Sequence, residues 1–440
     1  MIIIPEIDGT DPRIIDIMKG LAAQLEDLYT YNEYTFLSNA DQKQKQLEER
    51  VSSLVESTKE KLSESQLSPT YRAYFWLIIG IAYNVYDIYH DQAATCFHTS
   101  LRFDPTIPET YLQHGISSIK AGAWRRSELM LAKARSMLPG DERPLVNLSL
   151  LFRLRPQDLY PDSLARAVMM GRSAVQINPN SCQAWFALGM STLRLAADSN
   201  SSNFSRASCA LRRAIQIRES QDLPFPDARF NLAMLARLTL DLQTAWTQFH
   251  TASIEDPGLK QAVEGYTEIE ALLSSITLRL GESAVSFKEP GFKASKDVLG
   301  LDELAVGTSE GTLQVRICSL IGQGIPQFYL IENSCDACEA EGDESKNQEL
   351  GGKSAAQQPR SILALHQVSS ELAAGVTICI AKPTAANLKV KTTKNTFQFP
   401  IVTSQDELVR CIHIVKGRDR VPVTEKNVFG HKITSQIGGR

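Results

Sequence analysis

"NLAMLARLTLDLQTAWTQFHTASIEDP", residues 231–257, decides the fold. Leu232, Ala233 and Ala236 recur at the spacing of one helix face. After a short break Ala245, Phe249 and Ala252 do the same, and Pro257 ends the run because proline cannot continue a helix. The stretch therefore reads as two helices folded back on each other. Alanines stand where the two backbones must approach, and the phenylalanine fills the space beside them. Such a pair cannot bury its apolar face alone and needs neighbours of its own kind.

Working outward, the same frame recurs four more times. Trp76, Ile79, Gly80 and Tyr83 precede Ala93, Phe97, Ser100 and Pro105. Tyr111 and Gly115 precede Ser127, Leu131, Ala134 and Pro139. Leu145, Leu148, Ser149 and Phe152 pair with Ala167, Gly171, Ala174 and Pro179, across the longer loop "RPQDLYPD". Trp185, Leu188 and Gly189 pair with Ala207, Leu211 and Ala214, across "DSNSSN". A unit of about 34 residues with small, aromatic and proline positions in this order is the tetratricopeptide pattern. The expected fold is mainly α: a tetratricopeptide solenoid over residues 67–281, closed by the amphipathic capping helix "LKQAVEGYTEIEALLSSITLRLG".

The flanks differ. Residues 1–66 form an N-terminal helical segment, with Ile14, Ile17, Met18, Leu21, Leu25 and Leu28 on one face. A second, polar helix there has a narrow stripe of Leu47, Val51, Leu54, Val55 and Leu62. Residues 282–305 break the period and read as a linker. From 306 to 420 the period changes to two, in short runs such as "TLQVRICSLI" and "LKVKTTKNTFQFPIV". These predict a small antiparallel β-barrel of the oligonucleotide-binding type. A polar, acidic insertion near 333–360 is expected to be disordered, and 421–440 is a tail. Lys389, Lys391 and Lys394 with Phe397 and Phe399 make a modest basic–aromatic surface in one reading. In the other they are ordinary strand alternation with a lysine-blunted edge.

Composition narrows the function. The net charge of −4 opposes a general basic coat for nucleic acid. "MIIIPEIDGTDPR" has no basic region ahead of its apolar run, so no signal peptide is expected. "YFWLIIGIAYNVY" is too short and too polar to span a bilayer, so no membrane association is expected. Eight scattered cysteines fit a reducing compartment rather than a disulfide framework. Cys335 and Cys338 form one Cys-x-x-Cys pair, but a structural zinc site needs four ligands and no second pair follows. There is no phosphate-binding glycine loop, no His-x-x-x-His and no nucleophile elbow. The expectation is a non-enzymatic protein without metal or cofactor.

A solenoid of this kind offers its concave groove, lined by repeat positions 2, 5, 6, 9, 12 and 13 of each first helix. With Ser149 at position 8, Asn147, Leu150 and Arg153 take positions 6, 9 and 12. Phe186 and Met190 take positions 5 and 9 of the next repeat. Asp227, Asn231 and Met234 take positions 2, 6 and 9 of the last. Asparagine both donates to and accepts from a peptide backbone. A cation and a carboxylate in one groove suit a peptide that carries both signs. Asp227 is alternatively a helix cap beside Pro226.

"NLSLLFRLR", "SAVQINPNSCQAWFALGMSTLRL" and "PDARFNLAML" resemble the family of tetratricopeptide repeat protein five, or Strap. "VRICSLIGQGIPQFYLIENS" and "LAAGVTICIAKPTAANLKV" are similar to two segments of that family's C-terminal barrel. The resemblance implies an adapter that binds the N-terminal peptide of nascent tubulin at the ribosome and brings in the mRNA decay machinery. It also implies an alternative role as a nuclear stress-response cofactor that holds transcription coactivators, hence a cytoplasmic and nuclear location. Arg153 and Asp227 match the family's groove arginine and aspartate. Lys288, Lys293 and Lys296 stand where the family has a dense lysine cluster, so the implied ribosomal RNA contact is weak.

Overall fold

In a computed structural model the chain is described over residues 4–5, 11–198 and 204–281 and, from 284 to 422, over its strands and a few residues beside them. Among the described residues thirteen α-helices come first. Helices α1 (Pro12–Tyr34) and α2 (Ala40–Lys61) form the N-terminal hairpin. The five repeats are α3 (Pro69–Asn84) with α4 (Asp91–Phe103), α5 (Pro108–Lys120) with α6 (Trp124–Met137), α7 (Arg143–Leu154) with α8 (Ser163–Ile177), α9 (Cys182–Asp198) with α10 (Phe204–Glu219), and α11 (Pro226–Leu238) with α12 (Leu242–Glu255). The cap is α13 (Lys260–Leu280).

The small residues act where the frame puts them. A methyl group at Gly80 would lie 2.7 Å from the Phe97 ring, and one at Gly115 would lie 2.6 Å from Leu131. At Gly171 it would lie 2.9 Å from the Leu188 Cα, a backbone contact that no rotamer relieves. Serine does the same work with a hydrogen bond. Ser149 Oγ donates to the Ala167 carbonyl at 2.8 Å, which ties α7 to α8. The narrow stripe of α2 is buried as expected, from Val51 to Leu62.

By contact the chain forms two compact units. The first holds Met1–Ala196, Asn203–Arg229 and Thr251–Lys260; the second holds Ala197–Ser202, Phe230–His250 and Gln261–Arg440. Within the first, the N-terminal hairpin does more than precede the repeats. Tyr29 Oη donates to the Ile81 carbonyl of α3 at 3.3 Å, and Asn32 Nδ2 to that of Val85 at 3.2 Å. The far end of α1 then reaches the fourth repeat. Arg218 of α10 donates to Glu33 and to the Tyr34 hydroxyl. Gln183 of α9 reaches Glu33 at 3.4 Å. Between α7 and α8 lies a tightly organised elbow. Arg155 donates to the Trp124 carbonyl at 3.0 Å and to Glu128 at 2.5 Å. Its guanidinium also lies over Phe152 and Tyr160.

In the second unit ten strands follow: β1 (Val298–Leu299), β2 (Gly307–Thr308), β3 (Thr312–Gly322), β4 (Gln327–Asn333), β5 (Arg360–Leu365), β6 (Thr377–Ala381), β7 (Pro383–Lys391), β8 (Thr396–Ser404), β9 (Ile412–Lys416) and β10 (Asp419–Pro422). The expected antiparallel character holds, apart from the parallel pairs β5–β8 and β1–β3. The expected closed barrel does not. The hydrogen-bonded order β10-β9-β6-β3-β4-β5-β8-β7-β2 is an open sheet. Strands β6 and β7 are one residue apart in the chain, yet β6 pairs with β3 and β7 with β8. Pro383, which opens β7, has no N–H to carry a ladder onward, so the two arms are joined by the chain and not by a seam of hydrogen bonds.

The sheet also corrects the basic–aromatic surface. Val390 pairs with Phe397 and Leu388 with Phe399, while Lys389 pairs with Gln398 and Lys391 with Thr396. Phe399 and Val390 are buried and both lysines are exposed, so lysines and rings lie on opposite faces. Lys394 lies outside the described residues. At the open edge of β7 the Gln243 amide of α12 stands in for a missing strand. It donates to the Lys391 carbonyl at 3.2 Å and accepts the Lys391 N–H at 2.7 Å. Arg279 of α13 likewise donates to Ser319 Oγ and the Leu320 carbonyl.

Candidate functional site

The first helices of successive repeats lie side by side, α3 on α5 and α5 on α7. Ser149 and Ser191 share a hydrogen bond of 2.8 Å and so fix α7 against α9. This contact places the groove residues. Arg153 is one turn beyond Ser149, and Arg194 is nearly one turn beyond Ser191. The charge of Arg194 acts on Arg153 across neighbouring repeats. Arg153 is half-buried and, among the described residues, makes no hydrogen bond or ion pair. Burial first, and the charge of Arg194 second, push its pKa down to about 10.

The other expected residues fall as follows. Leu150 and Phe186 are half-buried, and Met190 is buried at 4% exposure. The Phe186 ring packs on Phe225 with centroids 5.1 Å apart, which makes an aromatic floor. Asn147 turns its Nδ2 back to the Arg143 carbonyl at 2.9 Å, so one of its two N–H donors is held by its own helix. Asp227 is exposed in the first turn of α11, inside the helix rather than at its cap, because the helix starts at Pro226. Asn231 and Met234, assigned to the second unit, follow Asp227 at one-turn and two-turn spacing on the same helix, nearly buried and half-buried respectively. Lys288, Lys293, Lys296, Cys335 and Cys338 lie outside the described residues.

Reasoning from sequence missed Arg194. Counting from Phe186 at position 5 puts Arg194 at position 13, a groove position, so the signal was there. A second unmatched group lies between the first two repeats. His114 of α5 is 1% exposed, and neither ring nitrogen has a hydrogen-bond partner. Burial, then the His98 ring and the Arg126 charge, push its pKa down to about 4. The His98 ring lies 4.6 Å away. Among the described residues no cluster of His, Cys, Asp or Glu could hold a metal. No described helix is long and apolar enough to cross a membrane.

No family model matches the chain, and no curated protein matches its sequence. Solved structures that match the chain include proteins described as tetratricopeptide proteins. TTC0263 of Thermus thermophilus, described as a thermophilic tetratricopeptide protein, is 18% identical, covers 47% of this chain and 99% of its own, and has a TM-score of 0.35. YrrB, described as having an unusual peptide-binding site, is 14% identical, with coverage of 48% and 97% and a TM-score of 0.32. The Cut9–Hcn1 complex gives 14% identity, 60% and 49% coverage and a TM-score of 0.42.

Proposed function

We propose that this chain is a non-enzymatic adapter whose groove binds an N-terminal peptide of nascent tubulin at the ribosome, so that tubulin mRNA is marked for decay through a further adapter. The observation that carries the reading is Arg153. A half-buried guanidinium that feels a second cation and, among the described residues, has no ion pair is completed by a carboxylate brought by a ligand. In this reading the glutamate of the Met-Arg-Glu sequence meets Arg153. The peptide arginine meets Asp227, and Phe186 and Met190 support the apolar side chains.

The test is fluorescence-polarisation titration of a labelled tubulin N-terminal peptide against the wild type, Arg153→Ala and Asp227→Arg. The expected outcome is binding by the wild type and at least a tenfold loss, about 1.4 kcal/mol, in each variant. A folded wild type that ignores the peptide would sink the tubulin reading. The alternative, a nuclear cofactor holding transcription coactivators, would then lead.

A further inference from the structure

The side of α9 turned away from the groove carries a second recess. At about 100° per residue, Trp185 and Leu188 lie about 140° and 160° around the helix from Met190. They form one wall of a slot of about 480 Å³, and Ser205, Arg206, Cys209, Ala210 and Arg213 of α10 form the other. The volume is that of a ligand-sized pocket. Its depth is apolar. Trp185 keeps its only polar atom occupied by donating Nε1 to the Pro179 carbonyl at 2.8 Å, so it presents hydrocarbon and ring to the slot.

The rim carries two cations, Arg206 and Arg213, and no carboxylate. Arg206 is exposed and, among the described residues, has neither a hydrogen bond nor an ion pair. Arg213, also exposed, donates only within its own helix, to Gln216 Oε1 at 2.8 Å. The two stand seven residues apart, about 10 Å along the axis, one toward each end of the slot.

We infer that this slot is a second docking site, for an acidic peptide segment of another protein that carries an aromatic or large aliphatic anchor between carboxylates. The anchor fills the recess against Trp185, and carboxylates on either side meet Arg206 and Arg213. The spacing fits acidic residues about three apart in an extended segment or seven apart in a helix. Tryptophan and arginine are residue types that concentrate binding energy at interfaces. Single-stranded RNA fits less well, since it needs a row of aromatic faces for successive bases and the slot has one ring. The slot and the groove lie on opposite sides of α9, so the full chain can hold two ligands at once.

The experiment is a polarisation titration of the full-length protein with a fluorescein-labelled dodecapeptide built on an Asp-Asp-Leu-Phe-Glu-Glu core. Parallel probes are the same peptide with amides for its acids, the same peptide with serines for Leu and Phe, and a twelve-nucleotide oligo(U). Thermal melts accompany every variant. The expected result is saturable binding of the acidic apolar peptide only. It should fall at least tenfold in the double variant Arg206→Glu/Arg213→Glu and in Cys209→Trp, which fills the slot, and stay unchanged in Arg153→Gln. Binding that survives both slot variants, or that Arg153→Gln abolishes, overturns the inference. So does absence of peptide binding by the folded wild type, or oligo(U) binding in its place.

Discussion

Arg153 and Arg155 stand two residues apart at the end of α7, and the protein treats them oppositely. At the elbow, Arg155 has its counter-charge: Glu128 accepts from it, Arg166 shares that carboxylate at 2.7 Å, and the Phe152 and Tyr160 rings lie beside the guanidinium, while its buried Nε has no hydrogen-bond partner among the described residues. Hydrogen bonds from both arginines overcome the effect of burial and hold the Glu128 carboxyl below its ordinary range. Arg153, by contrast, has no ion pair among the described residues and feels the charge of Arg194. The elbow pairs its cation with a carboxylate. Arg153 lacks that pairing among the described residues. Charge alone does not distinguish a structural arginine from a functional one; the presence of its counter-charge does.

The largest effect should come from breaking the elbow. Arg155→Ala leaves Glu128 short of its main donor and empties the space beside Phe152 and Tyr160. Removing one partner of a buried pair costs about 3–5 kcal/mol. Here the lower end applies, because Glu128 is one-third open to water and keeps Arg166. Urea titration of the variant is the measurement, and a loss below about 1 kcal/mol would undo the contrast.

A second probe is pH, acting through His114. Its folded pKa lies below that of an unfolded histidine, so the unfolded chain binds the extra proton first. Stability is therefore full above the unfolded value near 6.5 and falls as the pH drops toward the folded value of about 4. Between about pH 7 and pH 5 the loss attributable to this group is on the order of 2 kcal/mol. Urea titrations of the wild type and His114→Gln at the two pH values isolate it, and equal slopes in both proteins would remove His114 from the account.

The smallest stability effect should fall on Arg153. Arg153→Gln keeps the stem and removes a charge that Arg194 opposes. Its melting temperature should match or slightly exceed the wild type, a gain of up to about 1 kcal/mol, while peptide affinity falls. A variant that loses several kcal/mol instead would mean that Arg153 is structural after all.

Much of this was legible in advance. The repeat frame carried its own geometry, because small residues recur only where helix backbones must approach. Gly80, Gly115 and Gly171 meet their neighbours as the frame requires. The same counting singled out Leu150, Arg153, Phe186 and Met190 as groove candidates, and one turn further it reaches Arg194, whose charge acts on Arg153. Two features left no periodic trace. The elbow is assembled from residues in three different helices and a loop, whose contacts depend on packing and not on spacing. The switch of partner between β6 and β7 hides in one strand-like run, where alternation shows the strands but not which neighbour each one takes.

The reach of α1 to the fourth repeat has a consequence for how the molecule comes apart. A solenoid is ordinarily a row, each repeat touching only the next, so it frays from its ends and its stability is a sum of local terms. Here α1 touches α3 at one end and α9 and α10 at the other, with Arg218 bound to Tyr34 across 184 residues. The row becomes a cycle, and a cycle has no end at which to begin. Amide exchange across the first four repeats should then slow together rather than in gradation from the N-terminus. The hairpin, made first, cannot complete its contacts until the fourth repeat has been made.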